Sequence, residues 1–359
     1  MTPYRYLLVP GLLSVIGLLF ALGGIWLWVA FAVFATLATL IDEIVGDGDT
    51  IEVRQGTWIH HFALYASLPL LLVLSALFFH QCTLWGAPDG PQAWHLAGGI
   101  VTLAAVYSTG GTNIAHELAH RTNDRLAAVT SRWLLAFTFD TTFAIEHING
   151  HHKKVGTAKD AATARRGETV YHFIIRSTYF GVVNAAKIEA QRLHRHGDAV
   201  WGPRNRVLTG QLMSLVLAAT TLSLFGVIGL LVFLISAILG KFYLEMINYI
   251  GHYGLVRLEG QPVANRHSWN SQRQISGLLL FNLTRHSDHH LFVNKPYWAL
   301  DPGREYPRMP FGVATLILVA LLPPLWNRVM TPHLANWDSH FASPGERDLL
   351  AASGRLLAI

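Results

Sequence analysis

The stretch "LLVPGLLSVIGLLFALGGIWLWVAFAVFATLATLI", residues 7–41, decides the fold, because it contains no Asp, Glu, Lys or Arg. Crossing a bilayer core takes about 20 apolar residues, so this run is too long for one helix and long enough for two. Gly23-Gly24 is the natural break, giving expected helices over about 7–22 and 25–41. Trp26 and Trp28 then fall at the break, where an interfacial aromatic belt places them. A signal peptide has a shorter apolar core, and here the first run leads straight into a second.

Further apolar spans follow at about 62–80 and 94–115, and the uncharged run Val207–Gly240 suits two more, about 207–224 and 226–247, turning near Phe225-Gly226. The segment "MPFGVATLILVALLPPLW" (309–326) carries paired prolines, which favour a short buried or interfacial helix over a seventh crossing. Composition agrees. The chain has 359 residues, 52% of them hydrophobic and only 14% charged, so a membrane-embedded class is expected. The single Cys82 excludes a disulfide framework, a cysteine zinc ribbon or an iron–sulfur cluster within the chain. The net charge of +5 is dispersed beside apolar spans, which argues for a bilayer and against a nucleic-acid partner.

Among 27 Lys and Arg, only Arg5 and Arg54 precede Arg121, and the connections at 81–94 and near 225 carry none. The positive-inside rule therefore sets both termini, and the regions after the fourth and sixth spans, on the cytoplasmic side. The expectation is an all-α integral membrane protein, one domain over 1–359, with about six transmembrane helices and cytosolic catalytic parts at 116–206 and 248–359.

Nineteen histidines are present, and three clusters stand out. They are His116 and His120 in "HELAH"; His147, His151 and His152 in "EHINGHH"; and His286, His289 and His290 in "RHSDHH". Residues three or four apart share a helix face, so each cluster can aim two or three imidazoles at one point. Crowded imidazoles repel one another when protonated and need partners when buried and neutral; metal ions satisfy both requirements. "HELAH" also fits the H-E-x-x-H signature of zinc proteases. A zinc protease needs three protein ligands and one open position, which leaves the other clusters without a purpose. The ligand count favours two ions, and imidazole suits iron as well as zinc.

"HELAHR", "EHINGHH", "NYIGHYGLVR" (248–257) and "LTRHSDHH" resemble the histidine boxes of the membrane alkane hydroxylases and the xylene monooxygenase hydroxylase components, within the integral-membrane fatty acid desaturase–hydroxylase superfamily. The opening "PYRYLLVPGLLSVIGLLFALGG" and the tail around "LPPLW" lean toward the xylene-type branch, and two of the boxes toward the alkane branch. Gly251 departs from both patterns, since alkane hydroxylases carry Glu there and the xylene-type enzyme Gln. The resemblance implies a non-haem di-iron centre of two Fe held by His116, His120, His147, His151, His152, His252, His286, His289 and His290. His252 rests chiefly on "NYIGHYG", and His267 in "NRHSWN" is assigned behind the ligands.

Glu117, Glu146 and Asp288 sit inside the boxes, and each is expected to accept the second ring N–H of a ligating histidine. Asn113, Asn248 and Asn282 lie about one turn from ligands and suit the same work or plain helix capping. The implied reaction is O2-dependent hydroxylation of a terminal or benzylic methyl C–H of an alkane or alkyl-aromatic, with O2 as co-substrate, at the cytoplasmic face of a bacterial inner membrane. The spans, read as free of charge, suit a hydrophobic small-molecule substrate that partitions into lipid; Phe31, Phe34, Phe62 and Tyr65 are candidate cavity linings, although ordinary packing accounts for each. The chain has no flavin motif, so electrons come from a separate protein: a rubredoxin or a flavin and 2Fe–2S reductase. Lys153, Lys154, Arg165 and Arg166 offer a basic face to such an acidic partner. Fatty acyl desaturation with the same ligands is the alternative, and an intramembrane zinc protease a distant one.

Overall fold

The computed structural model describes residues 3–48, 55–303 and 305–357, and among these no strand forms. Part of the polar stretch after the second apolar helix, including Arg54, lies outside the described residues. Helices α1 (Leu8–Leu22) and α2 (Trp26–Thr36) make a hairpin, and α2 continues through a π turn at Leu37–Ile41 into α3 (Asp42–Val45). The chain reverses at Gly23, whose φ of 66° and ψ of −165° are open essentially to glycine alone. A Cβ there would also meet Gln81 Oε1 at 2.2 Å, and the Gln81 amide donates to the Ala21 carbonyl at 3.0 Å.

Helices α4 (Trp58–Tyr65) and α5 (Ser67–Thr83) follow, with α5 packed along α1. Helix α6 (Ala93–Val106) runs through a second π turn, Tyr107–Thr112, into α7 (Asn113–Ala119). Gly98 and Gly99 let α6 close on its neighbours, since a Cβ at either would come within 2.7 Å of Trp28 or 2.2 Å of Phe78. Helix α8 (Arg125–Ala136) starts at Asp124, whose carboxylate accepts from the Leu126 and Ala127 N–H groups.

Next come α9 (Phe143–Glu146), a third π turn at His147–His151, α10 (His152–Lys154) and α11 (Val170–Arg195). Helix α11 exposes Tyr171, Ile175, Tyr179 and Val182, a stripe at helical spacing. That is the pattern of a helix lying in a membrane interface rather than in open cytosol. Helix α12 (Arg206–His252) is bent back at Gly226, with φ 69° and ψ −170°. Gly210 packs on Thr141, Gln211 donates to the Phe139 carbonyl, and Lys241 pairs with Asp140. Both halves of α12 thus meet the same short segment, and they run antiparallel.

Among the described residues, four helical stretches are long and apolar enough to cross a membrane: Pro3–Leu22, Trp26–Val45, Trp58–Thr83 and Arg206–His252, the last holding the bend. The C-terminal part adds α13 (Gln274–Leu279), α14 (His286–Leu291), α15 (Val313–Ala320), α16 (Pro323–His340) and α17 (Pro344–Ala352). Helix α15 has 8 residues, about 12 Å, too short to cross. Pro323 and Pro324 open α16, where their missing N–H groups cost nothing. One apolar core fills the helical bundle around Phe20, Phe78 and Phe233; a second lies under the C-terminal helices around Tyr249, Trp326 and Trp337. The histidine boxes sit on the ends of helices that enter these cores.

Candidate metal centre

The nine histidines of the boxes come together and sort into two groups. His116, His120, His147, His152 and His289 form one, and His151, His252, His286 and His290 the other. Within each group, one ring nitrogen per residue lies within 4.8 Å of all the others. The second and third boxes do not aim at one point. His147 and His152 face one group while His151 between them faces the other, and His289 parts from His286 and His290 in the same way. The π turn at His147–His151 produces the first division, because its wider winding brings positions five apart onto one side. Two short segments therefore each bind both groups, which locks the groups against one another.

The spacing within the groups is that of ligands. His147 Nε2 lies 2.8 Å from both His116 Nε2 and His152 Nε2. His286 Nε2 lies 2.9 Å from His252 Nε2 and 3.3 Å from His290 Nε2. Two nitrogens at right angles, each about 2.1 Å from one ion, stand about 3.0 Å apart. Hydrogen bonding does not explain the pattern, because the single lone pair of His147 Nε2 cannot serve two donors. The Nε2 atoms of His120, His151 and His289 are buried with no hydrogen-bond partner at all. A metal ion would supply the partner that each lacks, so the residues present fit one ion in each group.

Protonation agrees with that use. Burial, with neighbouring imidazoles adding to it, pushes His116, His147, His152, His289 and His290 well below the ordinary range. These rings are neutral at pH 7 and keep a lone pair to give. His151 is the exception: burial pulls it down, but Asp160 and the acids behind it carry it above its ordinary value. Asp160 Oδ2 accepts from His151 Nδ1 at 2.9 Å, and both side chains are almost fully buried. That bond fixes the proton on Nδ1 and turns Nε2 toward the group. Asp160 also accepts from Thr163 Oγ1 at 2.6 Å and the Ala162 N–H at 3.2 Å.

The acids inside the boxes are placed differently. Glu117 accepts from Arg121 at 3.1 Å, and burial leaves it pushed up to about 7. Asp288 accepts from Lys295 Nζ and from the Asp301 N–H, both at 2.7 Å. Glu146, also pushed up to about 7 by burial and by Asp160, has an Oε1 with no partner. His267 serves through its backbone: its carbonyl accepts from His252 Nδ1 at 3.4 Å. Its ring accepts from the Ala264 N–H, and its Nε2 donates to Glu346 at 2.8 Å.

Asn282 holds Tyr6 and the Tyr297 carbonyl, Asn248 donates weakly to Glu245, and both polar atoms of the Asn113 amide are buried without partners. Gly251 packs on His286, with 3.3 Å between a virtual Cβ and the ring. A longer side chain at this position would stand directly against that imidazole.

Two further differences from the sequence reading concern charge. The segment read as an uncharged sixth span holds Lys241 and Glu245, and Lys241 Nζ bridges Asp140 Oδ2 at 2.7 Å and Glu245 Oε1 at 2.6 Å. Arg166 does not offer itself to a partner, because it is held by Asp338 at 2.5 Å and by the Gly254 carbonyl at 2.8 Å. Lys153 and Arg165 remain exposed. Asp160 itself carried no sequence signal, since it lies in a loop nine residues beyond His151 where no helical period links the two.

An apolar cleft is lined by Phe34, Ala105, Thr109, Ile247, Leu279 and Ile317, on helical segments that lead to the histidines. Thr109 is about two turns from His116 and Ile247 between one and two from His252, along helical segments. Tyr65 instead donates to Asp124 at 3.1 Å, and Phe62 packs on Trp58.

The sequence profile of the fatty acid desaturase family matches residues 91–317. The xylene/toluene monooxygenase hydroxylase component of Pseudomonas putida is 34% identical over 363 residues, covering 99% of this chain and 95% of its own. Alkane 1-monooxygenase 1 of Pseudomonas aeruginosa is 39% identical over 275 residues, covering 74% of this chain and 70% of its own. Alkane 1-monooxygenase 2 of Alcanivorax borkumensis is 30% identical, covering 92% and 87%. The chain belongs to the fatty acid desaturase family, and within it to the membrane monooxygenases represented by these alkane and xylene enzymes. It is a membrane monooxygenase.

Proposed function

We propose that the protein hydroxylates a terminal or benzylic methyl C–H of a hydrophobic substrate, an alkane or an alkyl-aromatic, using O2 and two irons held by the nine histidines. The observation that carries this reading is the division of nine convergent imidazoles, all but the half-buried His120 fully buried, into a five-membered and a four-membered group. Bound there, iron supplies the chemistry of O2 reduction and C–H cleavage. The protein's own part is to keep the imidazoles neutral, to fix the His151 ring through Asp160, and to keep water from the reacting carbon. The cleft lined by Phe34, Leu279 and Ile317 suits an apolar chain arriving from lipid with its methyl end foremost. Electrons come from a separate redox protein, a rubredoxin or a flavin and 2Fe–2S reductase. The arrangement has six crossings, with both termini and the histidines on the cytoplasmic side of a bacterial inner membrane.

The zinc protease reading is disfavoured by Glu117, the would-be general base, whose carboxylate is occupied by Arg121. Desaturation shares the ligand set, and product analysis separates it from hydroxylation. Cells producing the protein with a redox partner are given octane, p-xylene, p-cymene or a fatty acid under labelled oxygen gas. Labelled alcohol from a hydrocarbon supports the proposal; an alkene without label from the fatty acid replaces it.

A further inference from the structure

A second cavity, of about 370 Å³, lies on the other side of the His147 turn, between α8 and the junction of α11 with α12. Ala128, Ile145 and Ile148 give it an apolar wall, and Arg132, Arg192 and Arg206 a cationic one. Two of the three guanidiniums, those of Arg192 and Arg206, share one carboxylate. Glu189 is buried and accepts from Arg192 at 2.9 and 2.7 Å and from Arg206 at 2.9 and 2.7 Å. Among the described residues Arg132 makes no ion pair: its Nη2 donates to Thr209 Oγ1 at 2.6 Å and to the Arg206 carbonyl at 3.4 Å. Thr141, 3% exposed, borders the same cavity, with its Oγ1 packed against Gly210 of α12. Cations gathered with too few acids are a site for an anion with several oxygens.

The surroundings identify its source. Next to Arg206 along α12, Leu208, Leu212, Leu215 and Val216 are exposed, and Leu126 and Val129 are exposed on α8. Trp201, 86% exposed on the loop before α12, has the place of an interfacial anchor. A charged cavity that opens onto an apolar lane matches an amphiphile whose headgroup sits at the membrane interface.

We propose that this cavity holds the phosphate of an anionic phospholipid, clasped by Arg132, Arg192 and Arg206, with its acyl chains along the first half of α12. The wall formed by Ile145 and Ile148 backs the turn that carries His147 and His151, so the bound lipid braces the metal centre from behind. The inference rests on the membrane reading and is independent of which metal or substrate the centre takes.

The full chain is placed in nanodiscs of phosphatidylcholine, with or without phosphatidylglycerol, and retained lipid is counted by native mass spectrometry alongside the unfolding temperature. The wild type keeps phosphatidylglycerol in preference and unfolds at higher temperature when it is present. In Arg132→Gln the preference falls about tenfold, the value of one charge-assisted pair, and Arg132→Lys restores most of it. Arg132→Met, which keeps an apolar stem and removes the charge, gives the same loss and stands in if Arg132→Gln does not fold. Inorganic phosphate added to phosphatidylcholine discs leaves the unfolding temperature unchanged. Equal retention of the two lipids, an Arg132→Gln variant that keeps the preference, or the same stabilisation by free phosphate overturns the proposal.

Discussion

Replacing Asp160 by asparagine keeps the size of the side chain and removes one acceptor oxygen from a buried site that has three donors. In the native arrangement Oδ2 receives His151 Nδ1 and Thr163 Oγ1, and Oδ1 receives the Ala162 N–H. If the asparagine NH2 faces His151, the ring must accept at Nδ1, its proton moves to Nε2, and a ligand is lost. If the amide is turned the other way, its NH2 confronts the Ala162 N–H and a buried donor is left unsatisfied, which costs about 1–3 kcal/mol. At 1.4 kcal/mol per factor of ten that is roughly 5- to 150-fold, close to the 10–100-fold expected for the partner behind a ligating histidine. The loss should fall on the four-histidine group alone, because Asp160 touches His151 and no member of the other group. Purified protein loaded with two metals and titrated with a chelator then releases one metal about 10–100-fold more readily in Asp160→Asn, while the other is held as in the wild type. Unchanged release of both, with an unchanged unfolding temperature, would refute the assignment of Asp160. Loss of both together would refute the separation into two groups.

His289→Ala and His290→Ala are adjacent changes that should empty different groups, so metal counts and spectra of the two variants differ although each loses activity. Gly226→Ala has open space around its Cβ and a backbone essentially restricted to glycine, so it costs about 1–3 kcal/mol from strain alone. Gly23→Ala adds a clash with Gln81 and should unfold at lower temperature still, as thermal scans in detergent would record. Glu346 is raised by burial, but His267, Arg266 and the Ser343 N–H outweigh that and hold it at about 2, below the ordinary 4.5. With the folded value below the unfolded one, its stabilisation is complete above about pH 4.5 and is lost as the pH falls toward 2. Glu346→Gln therefore weakens the protein at pH 7 and flattens the decline across that window in urea unfolding. Ile317→Phe narrows the apolar cleft and should lower kcat/KM for p-cymene relative to octane by about tenfold or more; an unchanged ratio would remove the cleft from the substrate's path.

The helical, membrane-embedded class and the histidine boxes were legible because both are local patterns. Long uncharged runs, glycines at reversals and imidazoles within one turn are each read within a short window. The reversals at Gly23 and near Phe225-Gly226 were visible for the same reason. What escaped depended on three-dimensional convergence. Helical spacing places His147, His151 and His152 on one face, but a π turn changes the winding, and no local residue pattern marks where that turn forms. Asp160 reaches His151 across a loop, Glu346 reaches His267 from the C-terminal helix, and no periodicity connects either pair. Lys241 and Glu245 fall just past the uncharged run, where the helix continues and Asp140 meets Lys241 from a segment distant in sequence. The stripe on α11 shares its helix with Arg176, Lys187 and Arg192, which dilute the apolar signal in any linear average.

If the nine imidazoles hold two redox-active metal ions, elemental analysis of active, purified protein finds about two iron atoms per chain, falling to about one in Asp160→Asn under chelator. A single zinc, or full activity without iron, would show that they do not.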